Sequence, residues 1–297
     1  MEALPTEKVS ELKAHVGPVL AVRFNRDGNY CLTCGQDRLI KLWNPTKGLV
    51  VKTYVGHGHE VFDVATADDN SRLASVGGDK LVFYWDVATG NIIRKFRGHE
   101  LRVNTVRFAG EGSAVIISGS YDKSVRIFDC RSRNFEAVQT MRDFRDSVTS
   151  VAVSGHQVCA ASVDGFIRTF DIRMGEMVSD CVGQPITCVT VTNDGNCVLA
   201  TCMDSKVRLF DKSNGELLAS YSGHKNSTYT VESCMTHGDA HVVCGSEDGD
   251  VYFWDLVSGK QVHKLSGHGN VVCGIAYHPS ETCLLTSSVD GTVGVWR

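Results

Sequence analysis

An aspartate followed six residues later by a large aromatic residue recurs through this chain. The arrangement occurs seven times, with successive aspartates separated by 40 to 44 residues, and isoleucine or valine always stands three residues after the aspartate. A fixed spacing inside a repeat of this length predicts a β-propeller with four strands per blade. We therefore expect an all-β fold of seven four-stranded antiparallel blades. The seven pairs are Asp37/Trp43, Asp79/Trp85, Asp122/Phe128, Asp164/Phe170, Asp204/Phe210, Asp248/Trp254 and Asp290/Trp296.

The two ends of the chain predict how the ring closes. Residues 8–14 precede the first histidine, at the place that belongs to a fourth strand in later repeats, whereas the last repeat runs only to Trp296 and Arg297, directly after a third strand. We expect residues 8–14 to complete the last blade, because closure removes exposed sheet edges. A single blade cannot bury both of its faces, so residues 1–297 are predicted to form one propeller domain.

Composition narrows the class of protein. Lys and Arg number 30 against 34 Asp and Glu, which gives a net charge of −4 and no general signal for nucleic-acid or membrane binding. The first residues lack a basic segment followed by an apolar one, and no run approaches about 18 apolar residues, so neither a signal peptide nor a membrane span is expected. Twelve cysteines in so long a chain are typical of small buried residues in a reducing compartment. We expect a cytoplasmic and nuclear protein.

The repeated Gly-His, Ser/Thr, Asp and Trp residues resemble those of WD-repeat propellers, in which they form one hydrogen-bonded set within each blade. The chemistry agrees, since a carboxylate can accept from backbone and imidazole N–H groups and a hydroxyl can accept from an indole. We interpret the sets as structural and part-buried rather than as hydrolase triads, because they repeat at the period of the blade. The complete sets are His15/Thr33/Asp37/Trp43, His57/Ser75/Asp79/Trp85 and His268/Thr286/Asp290/Trp296.

The remaining repeats depart from this set. The third has His99, Ser118 and Asp122 but ends at a phenylalanine, and the sixth has Cys244 in the place of the hydroxyl. The fourth and fifth repeats have alanine in the place of the hydroxyl, and Asp143-Phe144 and Cys181-Val182 in place of Gly-His. In the sixth repeat, residues 226–229 look like an insertion, which leaves the strand register there open.

Several other residues invite a chemical role, and in each case we favour a structural one. Cys31 and Cys34 form a CxxC, but residues three apart on a strand face opposite ways, so no metal site is expected. Three consecutive repeats carry an arginine at the same strand position. We expect the aliphatic part of each side chain to pack between blades with its guanidinium at the edge, rather than a basic ring that binds phosphate. Arginines around residues 131–145 are expected to be a solvated edge rather than an RNA platform. These residues are Arg126, Arg168 and Arg208 for the first group and Arg131, Arg133, Arg142 and Arg145 for the second.

An enzyme built on this fold would need a catalytic constellation in the central channel, which the first strand of each blade lines. The ionisable residues predicted there are few, and they include no histidine cluster or carboxylate pair. We therefore expect no catalytic residues, no cofactor and no metal. The residues concerned are Arg23, Asp63, Arg107 and Glu232.

The amino-acid sequence of several segments resembles that of the mitogen-activated protein kinase organizer family of WD-repeat proteins. The segments are residues 23–35, 42–45, 129–133, 223–226, 253–257 and 276–279. The resemblance implies a non-catalytic scaffold that gathers components of the kinase cascade and also associates with the spliceosome. It implies protein partners, kinase-cascade components and splicing factors, with any RNA contact indirect, no membrane, and a monomer within larger complexes. The alternative is a substrate receptor or adaptor of a ubiquitin ligase, a role that other WD-repeat proteins fill.

A docking patch is predicted on the face that carries the histidine loops and the aspartate turns. Residues just after each histidine and just before each aspartate take part in no predicted network, so we expect the fold to leave them free. Aromatic and arginine side chains are favoured as interface anchors, and several come from adjacent repeats here. The hypothesis is that Glu60, Phe62, Arg102, Asn104 and Tyr121 form part of this patch, against the alternative that they are ordinary rim residues.

Overall fold

The fold was obtained as a computed structural model that describes residues 3–297. Each repeat forms one four-stranded antiparallel sheet, and there are seven such sheets. The first strands contact one another around the ring and line its centre. The predicted all-β, seven-bladed propeller is confirmed. The first strands are β2 (Val19–Phe24), β6 (Val61–Thr66), β10 (Val103–Ala109), β14 (Val148–Ser154), β18 (Ile186–Val191), β22 (Ser233–Met235) and β26 (Val272–Tyr277).

The second, third and outer strands follow in the same order. The second strands are β3 (Cys31–Gly35), β7 (Arg72–Gly77), β11 (Val115–Ser120), β15 (Gln157–Ser162), β19 (Cys197–Cys202), β23 (His241–Gly245) and β27 (Leu284–Ser288). The third strands are β4 (Leu39–Asn44), β8 (Val82–Asp86), β12 (Val125–Asp129), β16 (Phe166–Asp171), β20 (Lys206–Asp211), β24 (Asp250–Asp255) and β28 (Thr292–Trp296). The outer strands are β1 (Lys8–Lys13), β5 (Leu49–Val55), β9 (Ile92–Phe96), β13 (Gln139–Met141), β17 (Met177–Cys181), β21 (Leu217–Ser222) and β25 (Gln261–Ser266).

The only helix that the structure describes between residues 3 and 297 is a short 3-10 helix, Glu111–Ser113, between β10 and β11. The described residues form no helix with the length and hydrophobicity that a membrane span requires.

The first strand of the chain closes the ring. Strand β1 pairs with β28, with Lys8 opposite Trp296 and Lys13 opposite Thr292. The pairing continues beyond the strand, since the amide of Glu7 donates to the carbonyl of Arg297 at 2.9 Å and the amide of Arg297 donates back at 3.0 Å. The predicted clasp is confirmed, and it joins the two ends of the described chain in one sheet.

The core consists of hydrophobic clusters that lie between neighbouring blades, one for each junction in the ring. Alternation along each strand supplies them, because successive side chains face the two neighbouring blades in turn. Cys31 packs in the cluster shared with the last blade, whereas Cys34 packs in the cluster shared with the second blade. The prediction that these two thiols face opposite ways is therefore confirmed.

A β-bulge near the start of the first strand affects which side chains face the centre of the ring. In six blades the register shifts after the first residue of that strand, so one residue has no partner on the neighbouring strand. A bulge re-aims the side chain that it carries. The bulged residues are Leu20, Phe62, Asn104, Thr149, Thr187 and Cys273.

Candidate functional site

Two sets of loops make one face of the ring, which we call the histidine face: the loops that lead into the first strands and the turns that hold the repeated aspartates. Backbone hydrogen bonds join the two sets. The amide of Gly78 donates to the carbonyl of Glu60 at 3.0 Å, and the amide of Tyr121 donates to the carbonyl of Arg102 at 3.0 Å. The backbone at these positions is thus held by the fold, while the side chains extend from it.

The first blade contains the full hydrogen-bonded set. His15 Nδ1 lies 2.8 Å from Asp37, and His15 Nε2 lies 2.8 Å from the hydroxyl of Thr33. That hydroxyl also accepts from Trp43 Nε1 at 3.0 Å. Burial lowers the pKa of His15, although the paired carboxylate acts to raise it. A neutral imidazole that bridges carboxylate and hydroxyl ties the histidine loop to the strands, which is a structural use of these groups.

The second blade repeats these connections. His57 Nδ1 lies 2.7 Å from Asp79, and His57 Nε2 lies 2.7 Å from the hydroxyl of Ser75. The indole of Trp85 completes the set, because its Nε1 donates to the same hydroxyl at 2.8 Å.

The last blade has the third complete set. His268 Nδ1 lies 3.2 Å from Asp290, and His268 Nε2 lies 2.7 Å from the hydroxyl of Thr286. That hydroxyl accepts from Trp296 Nε1 at 2.8 Å. Burial lowers the pKa of His268 despite the nearby carboxylate.

Burial is graded along these sets. The side chain of Asp37 is 12% exposed at its turn, whereas the side chains farthest from the loops are fully buried: Trp85 and Thr286 are both 0% exposed. The second and third strands that carry these two residues lie between neighbouring blades. Trp85 and Thr286 therefore reach no surface, and they serve the fold and not the docking patch.

The third blade keeps part of the set. His99 lies 2.8 Å from Asp122 and 2.7 Å from the hydroxyl of Ser118. Burial acts to raise the pKa of Asp122, but the hydrogen bond and charge of His99, together with hydrogen bonds from Ser124 and the amide of Glu100, outweigh it and hold this pKa well below its usual range.

The fourth and fifth blades replace the histidine by an arginine. Arg168 lies 2.9 Å from Asp164, and Arg208 lies 2.5 Å from Asp204. The expectation that these heads lie at the edge is wrong, because each turns back to the aspartate four residues earlier in its own blade. The sequence signal was the placement of the arginines four residues after aspartates that lack a histidine.

The sixth blade pairs its aspartate with a tyrosine. The hydroxyl of Tyr252 donates to the carboxylate of Asp248 at 2.8 Å, and here too the aspartate lies four residues earlier in the chain. His224 is buried, and neither ring nitrogen has a hydrogen-bond partner among residues 3–297. Burial lowers its pKa to about 4. Its ring packs edge-on against Trp254 instead, with centroids 5.6 Å apart.

The insertion in the sixth blade is capped by a carboxylate. Oε1 of Glu247 accepts the amides of Ser227, Thr228 and Tyr229 at 2.6 to 2.8 Å. The insertion delays the first strand of this blade, and β22 is accordingly only three residues long. This register could not be read from the sequence, because the capping residue lies about 20 residues along the chain from the turn that it holds.

The ionisable residues of the central channel form one chain of ion pairs. Arg23 bridges Asp63 at 2.8 Å and Glu232 at 2.6 Å, and Arg107 reaches the second oxygen of Asp63 at 2.6 Å. Burial opposes ionisation of Asp63, but Arg107 and Arg23 outweigh it and keep its pKa below the usual value. Each of the two carboxylates is thus engaged by a guanidinium group, an arrangement that fixes charge at the centre of the ring.

A cavity of about 250 Å³ opens at the histidine-face end of the channel. Four of the five residues of the predicted patch line it, namely Phe62, Arg102, Asn104 and Tyr121. The guanidinium of Arg102 lies over both aromatic rings, 5.4 Å from the centroid of Phe62 and 4.9 Å from that of Tyr121. Glu60 does not line the cavity; it stays half-buried beside Gly78 on the rim.

Asn104 departs from the expectation that the fold leaves these positions free. Its side-chain amide donates to the carbonyl of Val148 at 2.7 Å and to the hydroxyl of Ser147 at 3.1 Å, so it joins the third blade to the fourth. That expectation is wrong for Asn104. Sequence reasoning also missed the other bulged residues of the cavity, whose shared signal is their position second in each first strand. They are Leu20, Thr149, Thr187 and Cys273.

Comparison with known proteins agrees with this architecture. The family model described as "WD domain, G-beta repeat" matches residues 6–44, 48–86, 90–129, 175–211, 215–255 and 259–297. The chain belongs to the WD-repeat family. The family model leaves residues 130–174 unmatched. This stretch holds the first three strands of the fourth blade, in which Arg168 replaces the usual histidine.

Relatives match nearly the whole WD-repeat chain. WD repeat domain-containing protein 83 of Rattus norvegicus is 53% identical over 294 residues, which cover 99% of this chain and 93% of the relative. The Homo sapiens protein of the same name is also 53% identical over the same shares. A Dictyostelium discoideum homolog of that protein is 36% identical over 96% of each chain. These names state the repeat architecture and no partner.

Proposed function

We propose that this chain is a non-catalytic scaffold that docks other proteins on its histidine face, in the cytoplasm and the nucleus. The observation that carries the proposal is the stack of Phe62, Arg102 and Tyr121 at the mouth of the channel. Aromatic and arginine side chains around a concave surface are typical of interface anchors. The carboxylates that line the cavity, Asp63 and Glu232, are both paired with arginines, which supports docking over proton-transfer catalysis there.

Partner identity in this proposal rests on the resemblance of six segments to the kinase-organizer family. The partners would be components of a mitogen-activated protein kinase cascade, together with pre-mRNA splicing factors, and the chain would act as a monomer inside larger complexes. The near-balanced charge of −4 favours protein partners over direct binding of nucleic acid.

The experiment that tests this proposal is affinity purification of tagged chain from cells, with and without nuclease, followed by mass spectrometry. The parent is compared with a Phe62→Ala/Arg102→Ala double variant and with an Arg133→Ala control. Arg133 is exposed in the turn between β12 and β13, on the opposite face. All three must show the same melting curve.

We expect kinases to survive nuclease treatment and to be lost from the double variant but not from the control. Full recovery of every partner by the folded double variant would place docking elsewhere on the ring. Recovery of ubiquitin-ligase subunits in place of kinases would favour the adaptor role.

A further inference from the structure

Arg102 is an exposed cation whose hydrogen-bonding edge is uncommitted. Its guanidinium lies over the rings of Phe62 and Tyr121, and within residues 3–297 its side chain makes no hydrogen bond or ion pair. Stacking fixes the plane of a guanidinium and leaves its N–H groups directed outward. The group is therefore oriented before any ligand arrives, which lowers the entropy that binding must remove.

The other charges of the cavity are already balanced. Three charged side chains line it: Asp63, Glu232 and Arg102. Arg23 and Arg107 neutralise the two carboxylates through contacts of 2.6 to 2.8 Å. Arg102 is thus the one charge of the described lining that lacks a counter-charge.

We propose that the mouth of the channel binds the carboxylate of a glutamate or aspartate, presented by an extended acidic segment of a partner protein. A guanidinium accepts a carboxylate through two parallel hydrogen bonds, which gives both strength and direction. A cavity of about 250 Å³ suits one such side chain rather than a folded element. This inference rests on the proposed docking function and adds the chemistry of the docked segment.

The turns around the mouth add positive charge. The residue after the repeated aspartate is Arg38, Lys80 or Lys123 in the first three blades, each with φ between 64° and 68°. Glycine takes this left-handed position in the fourth, sixth and seventh blades, and a long side chain there is uncommon. All three basic side chains are exposed and make no hydrogen bond or ion pair with the described residues. The fold itself does not explain them, whereas an acidic partner would.

An acidic peptide fits this surface better than a nucleic acid. The basic residues of the rim are interspersed with carboxylates such as Glu60 and Glu100, and this mixture of charges opposes a continuous polyphosphate. The aromatic faces that could stack bases are already covered by Arg102. A short segment can place one carboxylate on Arg102 and avoid the acidic positions.

The test is selection of random octapeptides, displayed on phage, against the immobilised full chain. We expect the parent to enrich glutamate or aspartate at one position. A resynthesised fluorescent peptide from this selection should bind at least about tenfold more weakly when that residue becomes glutamine. Arg102→Gln should remove the acidic preference, and Arg102→Glu should reverse it to lysine or arginine. Arg133→Gln, the matched control, should select the same peptides as the parent.

The outcomes separate this inference from the docking function on which it rests. Peptides that depend on Phe62 and Tyr121 but carry no acidic preference would overturn the inference and leave docking intact. Peptides indifferent to Phe62, Arg102 and Tyr121 would count against both. A phosphoserine version that binds more than about tenfold tighter than the glutamate peptide, or a 20-nucleotide RNA that competes for Arg102, would also overturn the assignment to a carboxylate.

Discussion

The guanidinium of Arg168 lies 2.9 Å from the carboxylate of Asp164, in a blade that has neither the histidine nor the hydroxyl of the complete sets. Both side chains are almost fully buried, and the arginine also lies over the rings of Phe144 and Phe166 at 4.9 and 5.1 Å. Arg168 supplies both the hydrogen-bond donor that a histidine provides in the complete sets and the packing that a separate strand residue provides there. The blade thus keeps its aspartate turn without the usual network.

The first prediction compares this arginine with its counterpart in the fifth blade. Arg168→Met should lower the free energy of unfolding by about 3–5 kcal/mol, because it leaves a buried carboxylate unpaired. Arg208→Met should cost only about 1 kcal/mol, since Asp204 is 25% exposed and water can replace the guanidinium. Urea denaturation of both variants measures the order, and equal costs would mean that burial does not set the strength of these pairs.

The clasp gives a second prediction. A chain that lacks residues 1–14 should melt at a lower temperature or aggregate, because β28 would lose its partner and expose an edge. The matched control begins at Leu4 and keeps every paired residue of β1. A melting curve identical to that of the control would show that the clasp does not stabilise the ring.

Two tryptophans should differ in what they contribute. Trp254→Ala should cost about 3–5 kcal/mol, because its ring is 1% exposed and fills the junction between the fifth and sixth blades. Trp43→Phe should cost about 1 kcal/mol, since the hydroxyl of Thr33 loses the indole but keeps His15. Guanidinium titration tests the order; similar costs would contradict this division between packing and hydrogen bonding.

Acid should destabilise the fold partly through His224. Its folded pKa is about 4 against 6.5 for an ordinary histidine, so the unfolded chain binds the extra proton between these values. The free energy of unfolding should therefore fall as the pH drops from about 6.5 to about 4. The lowered pKa values of His15, His99 and His268 act in the same direction.

A substitution isolates this contribution. His224→Phe removes two unpaired ring nitrogens, so it should raise stability at pH 7 by about 1 kcal/mol and make the acid dependence shallower. His57→Phe is the contrasting variant, because it breaks bonds to Asp79 and Ser75 and should destabilise by about 2–3 kcal/mol. Thermal unfolding of both between pH 4 and pH 7 decides; a loss of stability in both would contradict the account of His224.

Thiol labelling gives the last prediction. Cys181 is the one exposed cysteine of the twelve, so an aromatic disulfide reagent should modify it first. Burial raises the pKa of the Cys31 and Cys34 thiols, and both should resist the reagent until the chain unfolds. Mass spectrometry of the partly labelled chain reads the order, with Cys181→Ser as the control. Early labelling of Cys34 would show that the second strand of the first blade opens readily.

The ring could be read from the sequence. The recurring Asp and aromatic spacing predicted seven blades, the surplus strand at residues 8–14 predicted the clasp, and alternation placed Cys31 and Cys34 on opposite faces. These features succeed because each depends on local geometry that repeats: strand period, turn residues and the distance between aspartates.

Which side chains meet could not be read from the sequence, because that depends on how whole blades pack. Arg23 lies 2.6 Å from Glu232, although 209 residues separate them in the sequence, because ring closure brings the first and sixth blades together around the channel. Phe62 meets Arg102 because a bulge turns its side chain into the channel mouth, and Asn104 is instead committed to the fourth blade. Such contacts depend on how neighbouring blades are rotated against one another and on single-residue bulges. Neither leaves a periodic trace in the sequence, so the ring was predictable while the chemistry at its centre was not.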